Sequence, residues 1–241
     1  QIQAYLNAAG TSEGLQAALD SFVPHSEDGR GFFAEVTPAQ LTGAPHEEIL
    51  VDLLFFESGQ YYEEAILVFS CRDGLYESWL LAEIFGQLTA EPGPAVLFIG
   101  DMNLNSIPEI LYTDTLIVGT HGIFTRGFHI VEWDETEFKE KINNPDFPGT
   151  AFAINSGDGV VEDTNGDGRL ELIITHGAIE LPGSGPAREK TDIWSWDGSG
   201  YSLSDSSLSA PVYRFQVVQD GDTALQNGQY EKALTLYQTA I

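Results

Sequence analysis

Basic residues are scarce in this chain of 241 residues: 10 Lys and Arg stand against 37 Asp and Glu, a formal net charge of −27. A nucleic-acid binder displaces counterions from phosphate with Lys and Arg, so this balance excludes broad nucleic-acid recognition. Attraction to an anionic membrane surface fails for the same reason. No apolar run approaches the roughly 18 residues of a helical membrane span. The single cysteine, Cys71, excludes an internal disulfide and any multi-cysteine zinc or iron–sulfur site. The chain opens at Gln1 with no basic segment leading into an apolar one. The expectation is a mature or excised piece of an exported bacterial-type protein (extracellular, periplasmic or cell-surface) whose signal or anchor lies outside it. A halophile's hydrated acidic surface also fits the charge.

Hydrophobic residues, at 42%, and aromatics, at 11%, are too frequent for whole-chain disorder. Residues 1–31 read as an N-terminal helical segment and linker. Ile2, Leu6, Leu15, Ala18 and Leu19 fall at helical spacing, with a break near Gly10 and Gly14. Residues 32–210 change texture to short runs such as EEILVDLLFF, EAILVFSC, AVLFIGD, ELIITHG and DIWSWD. These are strand-length, β-branched and aromatic, and are punctuated by Gly, Pro, Asp and Asn. Residues 211–241 return to a helical texture.

An internal repeat orders the middle region. Glu48-Ile49-Leu50, Glu109-Ile110-Leu111 and Glu171-Leu172-Ile173 lie 61 and 62 residues apart. Arg72-Asp73-Gly74, Trp133-Asp134 and Trp196-Asp197-Gly198 keep step with them, 61 and 63 residues apart. Each unit then reads as strand, acidic turn, strand, longer loop, strand, Asp-Gly-type turn, strand. A four-stranded sheet cannot bury both faces alone, so neighbouring sheets must stack. The expected fold is mainly β: a propeller-like stack of about three four-stranded antiparallel blades, with short N-terminal helices and a C-terminal α-hairpin.

The stretch richest in chemistry is DTNGDGRLE. Asp163, Asn165 and Asp167 occupy alternate positions, Gly168 permits a sharp turn, the Arg169 carbonyl follows, and Glu171 closes the set. Oxygen donors on alternate residues of a tight loop converge on one hard cation, and the set suits Ca2+. An EF-hand would place its bidentate Glu at position 12, which is Ile174, so this is a short loop within a β-hairpin. DMNLNSIPE repeats the register with Asp101, Asn103, Asn105 and Glu109. Its ligand charge is smaller, and Ser106 replaces the turn glycine. In the first unit the register gives Gln40, Thr42, Ala44 and Glu48, and the ligand set is gone. The alternative is an Asx-rich turn closed by its own hydrogen bonds.

An apolar strand, D-x-N-x-D-G-x-x-E, a second strand and a W-D-G-x-x-Y hairpin together resemble FG-GAP/VCBS repeats, the blade units of integrin-α-like propellers. The resemblance covers roughly residues 32–205. It implies four-stranded blades with structural calcium in the loop between the first two strands. Further on, Gly221, Ala224, Gly228, Tyr230, Ala233, Tyr237 and Ala240 alternate small and aromatic residues, which resembles a tetratricopeptide repeat. On that reading Tyr230 packs between two helices beside Ala224 and Ala233. The outer face around Leu234 and Tyr237 is then buried against the β domain or a second copy.

No G-x-S-x-G, H-E-x-x-H or phosphate-cradling loop occurs. His121 and His176 each sit in Thr-His-Gly, and His129 follows the first, but solvated loop histidines explain them without catalysis. Trp194 and Trp196 share one face of a strand, an arrangement suited either to a blade core or to stacking against sugar. The expected function is a non-enzymatic, calcium-stabilised interaction module that binds a protein partner. The alternative is a polysaccharide-binding or -cleaving protein using blade-rim carboxylates and tryptophans.

Overall fold

The computed structural model describes residues 1–8, 10–21, 30–43, 46–57, 61–87, 95–117, 124–154, 157–177 and 185–241. Two helices, α1 (Ile2–Asn7) and α2 (Ser12–Ser21), precede the β region. The first sheet runs β1 (Arg30–Ala39), β2 (Glu48–Glu57), β3 (Tyr61–Arg72), β4 (Leu75–Gln87). The second runs β5 (Ala95–Gly100), β6 (Glu109–Ile117), β7 (Phe124–Trp133), β8 (Phe138–Glu140), and β9 (Ala151–Ile154) also pairs with β7. The third runs β10 (Asp158–Glu162), β11 (Glu171–His176), β12 (Lys190–Trp196), β13 (Tyr201–Leu208). All three are antiparallel meanders in chain order, as the repeat predicts.

The sheets stack one on the next, and the apolar runs show why. Along β2, Ile49 and Val51 face α1 and α2 with Leu6 and Leu15, while Leu50 faces the second sheet. Along β6, Ile110 and Tyr112 face the first sheet and Leu111 faces the third. A strand covered on both sides has no polar face, so it reads as an unbroken apolar run rather than an alternation. The inter-sheet layers contain Leu41, Ile66, Val68 and Val131 on one side of the second sheet and Met102, Phe128, Ile130, Leu172, Ile174 and Trp194 on the other.

The turn between β3 and β4 is Asp73-Gly74, at φ +51° and +81°. Two left-handed residues suit the strand twist of a two-residue hairpin, and Asp-Gly tolerates both. In the third unit Asp197 caps the equivalent turn by accepting from the backbone N–H of Ser199 at 2.8 Å and Gly200 at 3.0 Å. Where the sequence leads one to expect a longer connection, β2 and β3 extend to 10 and 12 residues and end and begin only a few residues apart.

The C-terminal hairpin comprises α3 (Arg214–Gln226) and α4 (Tyr230–Thr239). Ala224 and Ala233 are buried at its interface. Gly221 lies under the Tyr237 ring; a Cβ there would come within 2.5 Å of it. The Tyr237 hydroxyl donates to Asp222 Oδ1 at 2.7 Å. The Tyr230 expectation is corrected, since this residue is 70% exposed. It is the first residue of α4, where a helical side chain leans toward the N-terminus and out of the crossing of the two helices. Leu234, at 58% exposure, is not covered by the β domain either. The hairpin is moored at its other end. Arg188 pairs with Asp220 at 2.5 Å and donates to the Ser209 carbonyl, and Gln216 donates to the Pro186 carbonyl. Arg188→Ala should therefore loosen the hairpin without melting the sheets, read as faster amide exchange confined to residues 214–239.

Candidate metal loops

Residues 163–170 join β10 to β11, and the Asx side chains fold them. Asp163 accepts from the N–H of Gly166 at 2.6 Å and of Gly168 at 3.0 Å. Asn165 Oδ1 accepts from Asp167 N, and Asp167 Oδ1 from Arg169 N, both at 2.8 Å. Gly166 and Gly168 stand at φ +79° and +87°, a region costly for any side chain with a Cβ. Partial desolvation opposes ionisation of Asp163, but the backbone N–H groups aimed at it outweigh that and hold its carboxyl below the usual range. The loop thus gathers Asp163, Asn165 and Asp167 at the surface with their oxygens turned toward the backbone of the turn.

Glu171 does something the spacing did not announce. It is 1% exposed and accepts from Thr164 N and Thr164 Oγ1 at 2.7 Å and from Asn165 Nδ2 at 3.1 Å. Glu109, fully buried, accepts from Met102 N at 2.7 Å. Glu48, 1% exposed, accepts from Leu41 N at 2.7 Å, Thr42 N at 3.2 Å, Thr42 Oγ1 at 2.5 Å and Ser70 Oγ at 3.1 Å. In all three units the carboxylate reaches back seven residues to the same backbone N–H. The first loop has no Asx ligand set yet keeps this bond. The shared Glu is therefore a loop-closing acceptor whether or not a cation is present. The clue in the sequence was that Glu recurs in all three units while its Asx companions do not.

The second unit differs in what stands across the strand. Continuing the registers places Ser70 opposite Glu48 and Ser195 opposite Glu171, but Glu109 pairs directly with Glu132. Facing carboxylates repel. Lys141 answers with a contact to Glu132 Oε1 at 2.6 Å, and Asn103 and Asn105 turn their amide N–H groups onto Glu132 Oε2 at 2.8 and 2.6 Å. Asn103 also donates to Glu109. Burial, followed by Glu132 and Asp101, pushes Glu109 well above the carboxylate range. Glu132 shifts the other way, because Lys141 and the two amides outweigh its own desolvation. Asp101 holds its loop through Asn105 N at 3.1 Å and Ser106 N at 2.8 Å. Leu104 and Ser106 take left-handed φ of +65° and +72°, which is the strain expected where glycine is missing.

The second and third loops touch. Leu170 N donates to the Met102 carbonyl at 2.9 Å and Arg169 Nε to the Asn103 carbonyl at 3.3 Å. Among the described residues, no three His, Cys, Asp or Glu side chains are grouped to hold a metal ion. A cation on the third loop must therefore add neutral oxygens, those of Asn165 and the Arg169 carbonyl, to Asp163 and Asp167.

The other sequence candidates are engaged in packing. His121 lies outside the described residues. His176 contacts Asp192 at 2.8 Å, and Ser206 and Lys190 bond that same carboxylate. His129 stacks on Tyr112 with centroids 4.9 Å apart and lies 3.2 Å from Asp114 and 3.4 Å from Glu140. These are ion-pair contacts without hydrogen-bond alignment. Trp194 and Trp196 do share a face, which is packed into the layer between the second and third sheets, with Trp194 buried and Trp196 half-buried. Trp133 is buried, and the Arg72 guanidinium sits 4.8 Å from its ring and 5.4 Å from that of Trp79. Compared with protein-family models, curated proteins and solved structures, the chain matches none. No described helix is long and apolar enough to cross a membrane.

Proposed function

We propose that this chain is a non-enzymatic interaction module of an exported protein, its stacked sheets acting as FG-GAP/VCBS-like blades stabilised by Ca2+ on the third loop. The observation that carries this reading is the Asp163–Asn165–Asp167 loop, with alternate oxygen donors, two left-handed glycines and an ionised first carboxylate. Calcium bound there would neutralise charge that the protein leaves on the surface. The blades form an open, propeller-like arc, and the α3–α4 hairpin, of tetratricopeptide-like texture, is the element that meets a protein partner. The exposed Tyr230 and Leu234 on α4 support that role.

Thermal melts with calcium and with chelator test the reading. Affinity in the range of about 10⁻⁴ to 10⁻³ M, usual for extracellular modules, gives about 2.7 kcal/mol of stabilisation at 100 times the dissociation constant. Asp163→Ala should remove most of the calcium response, and Asp101→Ala less of it, because Lys141 already balances the second unit. A melting temperature indifferent to chelator would overturn the calcium role.

A further inference from the structure

The two N-terminal helices are clasped to both edges of the first sheet by side-chain amides. β1 and β4 are its edge strands. On β1, Gln16 of α2 donates to the Ala34 carbonyl at 2.9 Å and accepts from Val36 N at 2.8 Å. On β4, Gln3 of α1 donates to the Tyr76 carbonyl at 2.6 Å, and Asn7 Oδ1 accepts from Tyr76 N at 2.7 Å. Between these clasps the apolar packing is complete only at one end, where Leu6 and Leu15 cover Ile49, Val51 and Phe69. Further along the same strands Leu53 and Leu67 stay half-buried. There the helices roof a cleft of about 550 Å³. Its floor crosses all four strands, from Phe32 on β1 through Leu53 and Leu67 to Ser78 on β4. Tyr5 forms part of the roof, and a Cβ at Gly10 or Gly14 would collide with its ring or hydroxyl. Glycine weakens a helix, so Gly14 gives up helical propensity in α2 to seat this ring.

We propose that this cleft binds an uncharged molecule with a straight alkyl chain, laid across the strands beneath α1 and α2. The volume is that of a small-molecule site with mostly apolar walls. Three inter-strand spacings make the floor about 14 Å long, the reach of an alkyl chain of medium length. No lining side chain is charged. A charged head of either sign would lose its hydration there with no counter-charge to meet it, and an anion would also face a chain of net charge −27. The polar groups present are the amides of Gln1 and Gln3 and the hydroxyls of Tyr5 and Ser78, which suit an alcohol, ester or amide head. The site lies on the first sheet and does not depend on the third-loop cation of the proposed function.

The uncharged dye N-phenyl-1-naphthylamine, which brightens in apolar surroundings, is titrated into the full chain and then displaced with decanol or with decanoate at neutral pH. Ala18→Trp places an indole in the cleft from α2, and Ser78→Phe narrows it from β4. Leu234→Ser controls for dye on the exposed face of α4. One dye site is expected, weakened roughly tenfold by either filling variant and unchanged in Leu234→Ser. Decanol should displace the dye at a roughly tenfold lower concentration than decanoate. It should also raise the melting temperature of the unmutated protein but not that of Ala18→Trp. If one filling variant fails to fold, the other decides. Dye binding that survives in the folded filling variants, or that disappears in Leu234→Ser, would overturn the site. Displacement by decanoate at the same concentration as decanol would overturn the uncharged ligand. The titrations are expected to be the same in calcium and in chelator, so the third-loop cation stands or falls separately.

Discussion

Glu48→Ala should destabilise the β domain by roughly 3–5 kcal/mol, with or without calcium. The carboxylate accepts four hydrogen bonds in a buried place, and truncation strands Leu41 N and Ser70 Oγ away from water. Each stranded donor costs about 1–3 kcal/mol, and loss of the ion's own desolvation penalty offsets only part of that. Urea denaturation in chelator provides the measurement. Glu48→Gln should fall between the two, since an amide oxygen can still accept from Leu41 N. A loss below about 1 kcal/mol for the alanine variant would refute the loop-closing role. Glu171→Ala should show the same calcium-independent loss with any calcium-dependent loss added to it. That separates closure from metal binding within a single residue.

Raising the pH from about 6 to 9 should destabilise the protein, with His129 the main cause. Burial alone would lower its pKa, but Asp114 and Glu140 outweigh burial and raise it to about 9. An imidazole whose folded pKa exceeds its unfolded value of about 6.5 contributes fully below pH 6.5 and loses that contribution as pH climbs through 9. The shift is worth roughly 2–3 kcal/mol. Two acids act in the same sense. Asp52 is raised to about 6 by burial and by Glu35, so its neutral form is favoured in the fold and its contribution fades between about pH 4 and 6. Glu109, raised by burial and by Glu132, loses its contribution as pH rises above the ordinary carboxylate range. Maximal stability should thus lie on the acid side of neutral. Denaturant midpoints across pH 5–9 measure this, and His129→Gln should flatten the limb between pH 6.5 and 9. An unmutated protein equally stable at pH 6 and pH 9 would show that the Asp114–His129–Glu140 cluster does not hold a charged imidazole.

The strand-length apolar runs, the repeat of 61 and 62 residues, the Asx loops and the small residues of the C-terminal helices were legible because each depends on neighbours in sequence. A strand follows from β-branched runs bounded by turn residues. A tight loop follows from Asx and Gly at fixed offsets, and a close helical crossing follows from Gly221, Ala224 and Ala233. Even the stacking was implied, since a run such as Glu109-Ile110-Leu111 has no polar face to give to water. Other features depended on what lies across a strand or between units. Glu109 reads like Glu48 and Glu171 in sequence, yet strand register sets it against Glu132 rather than a serine, and Lys141 is recruited to balance the pair. Tyr201 reads as one more blade aromatic, yet it is fully buried and its backbone is hydrogen-bonded to Lys141 and Asn143 of the second unit. Tyr230 carries a helical-repeat signature and still points outward, because its place at the start of α4 sets its direction. Local chemistry selects the elements. Which charges and hydroxyls must share a buried space is decided only when register and stacking bring distant residues together, with no water left to screen them.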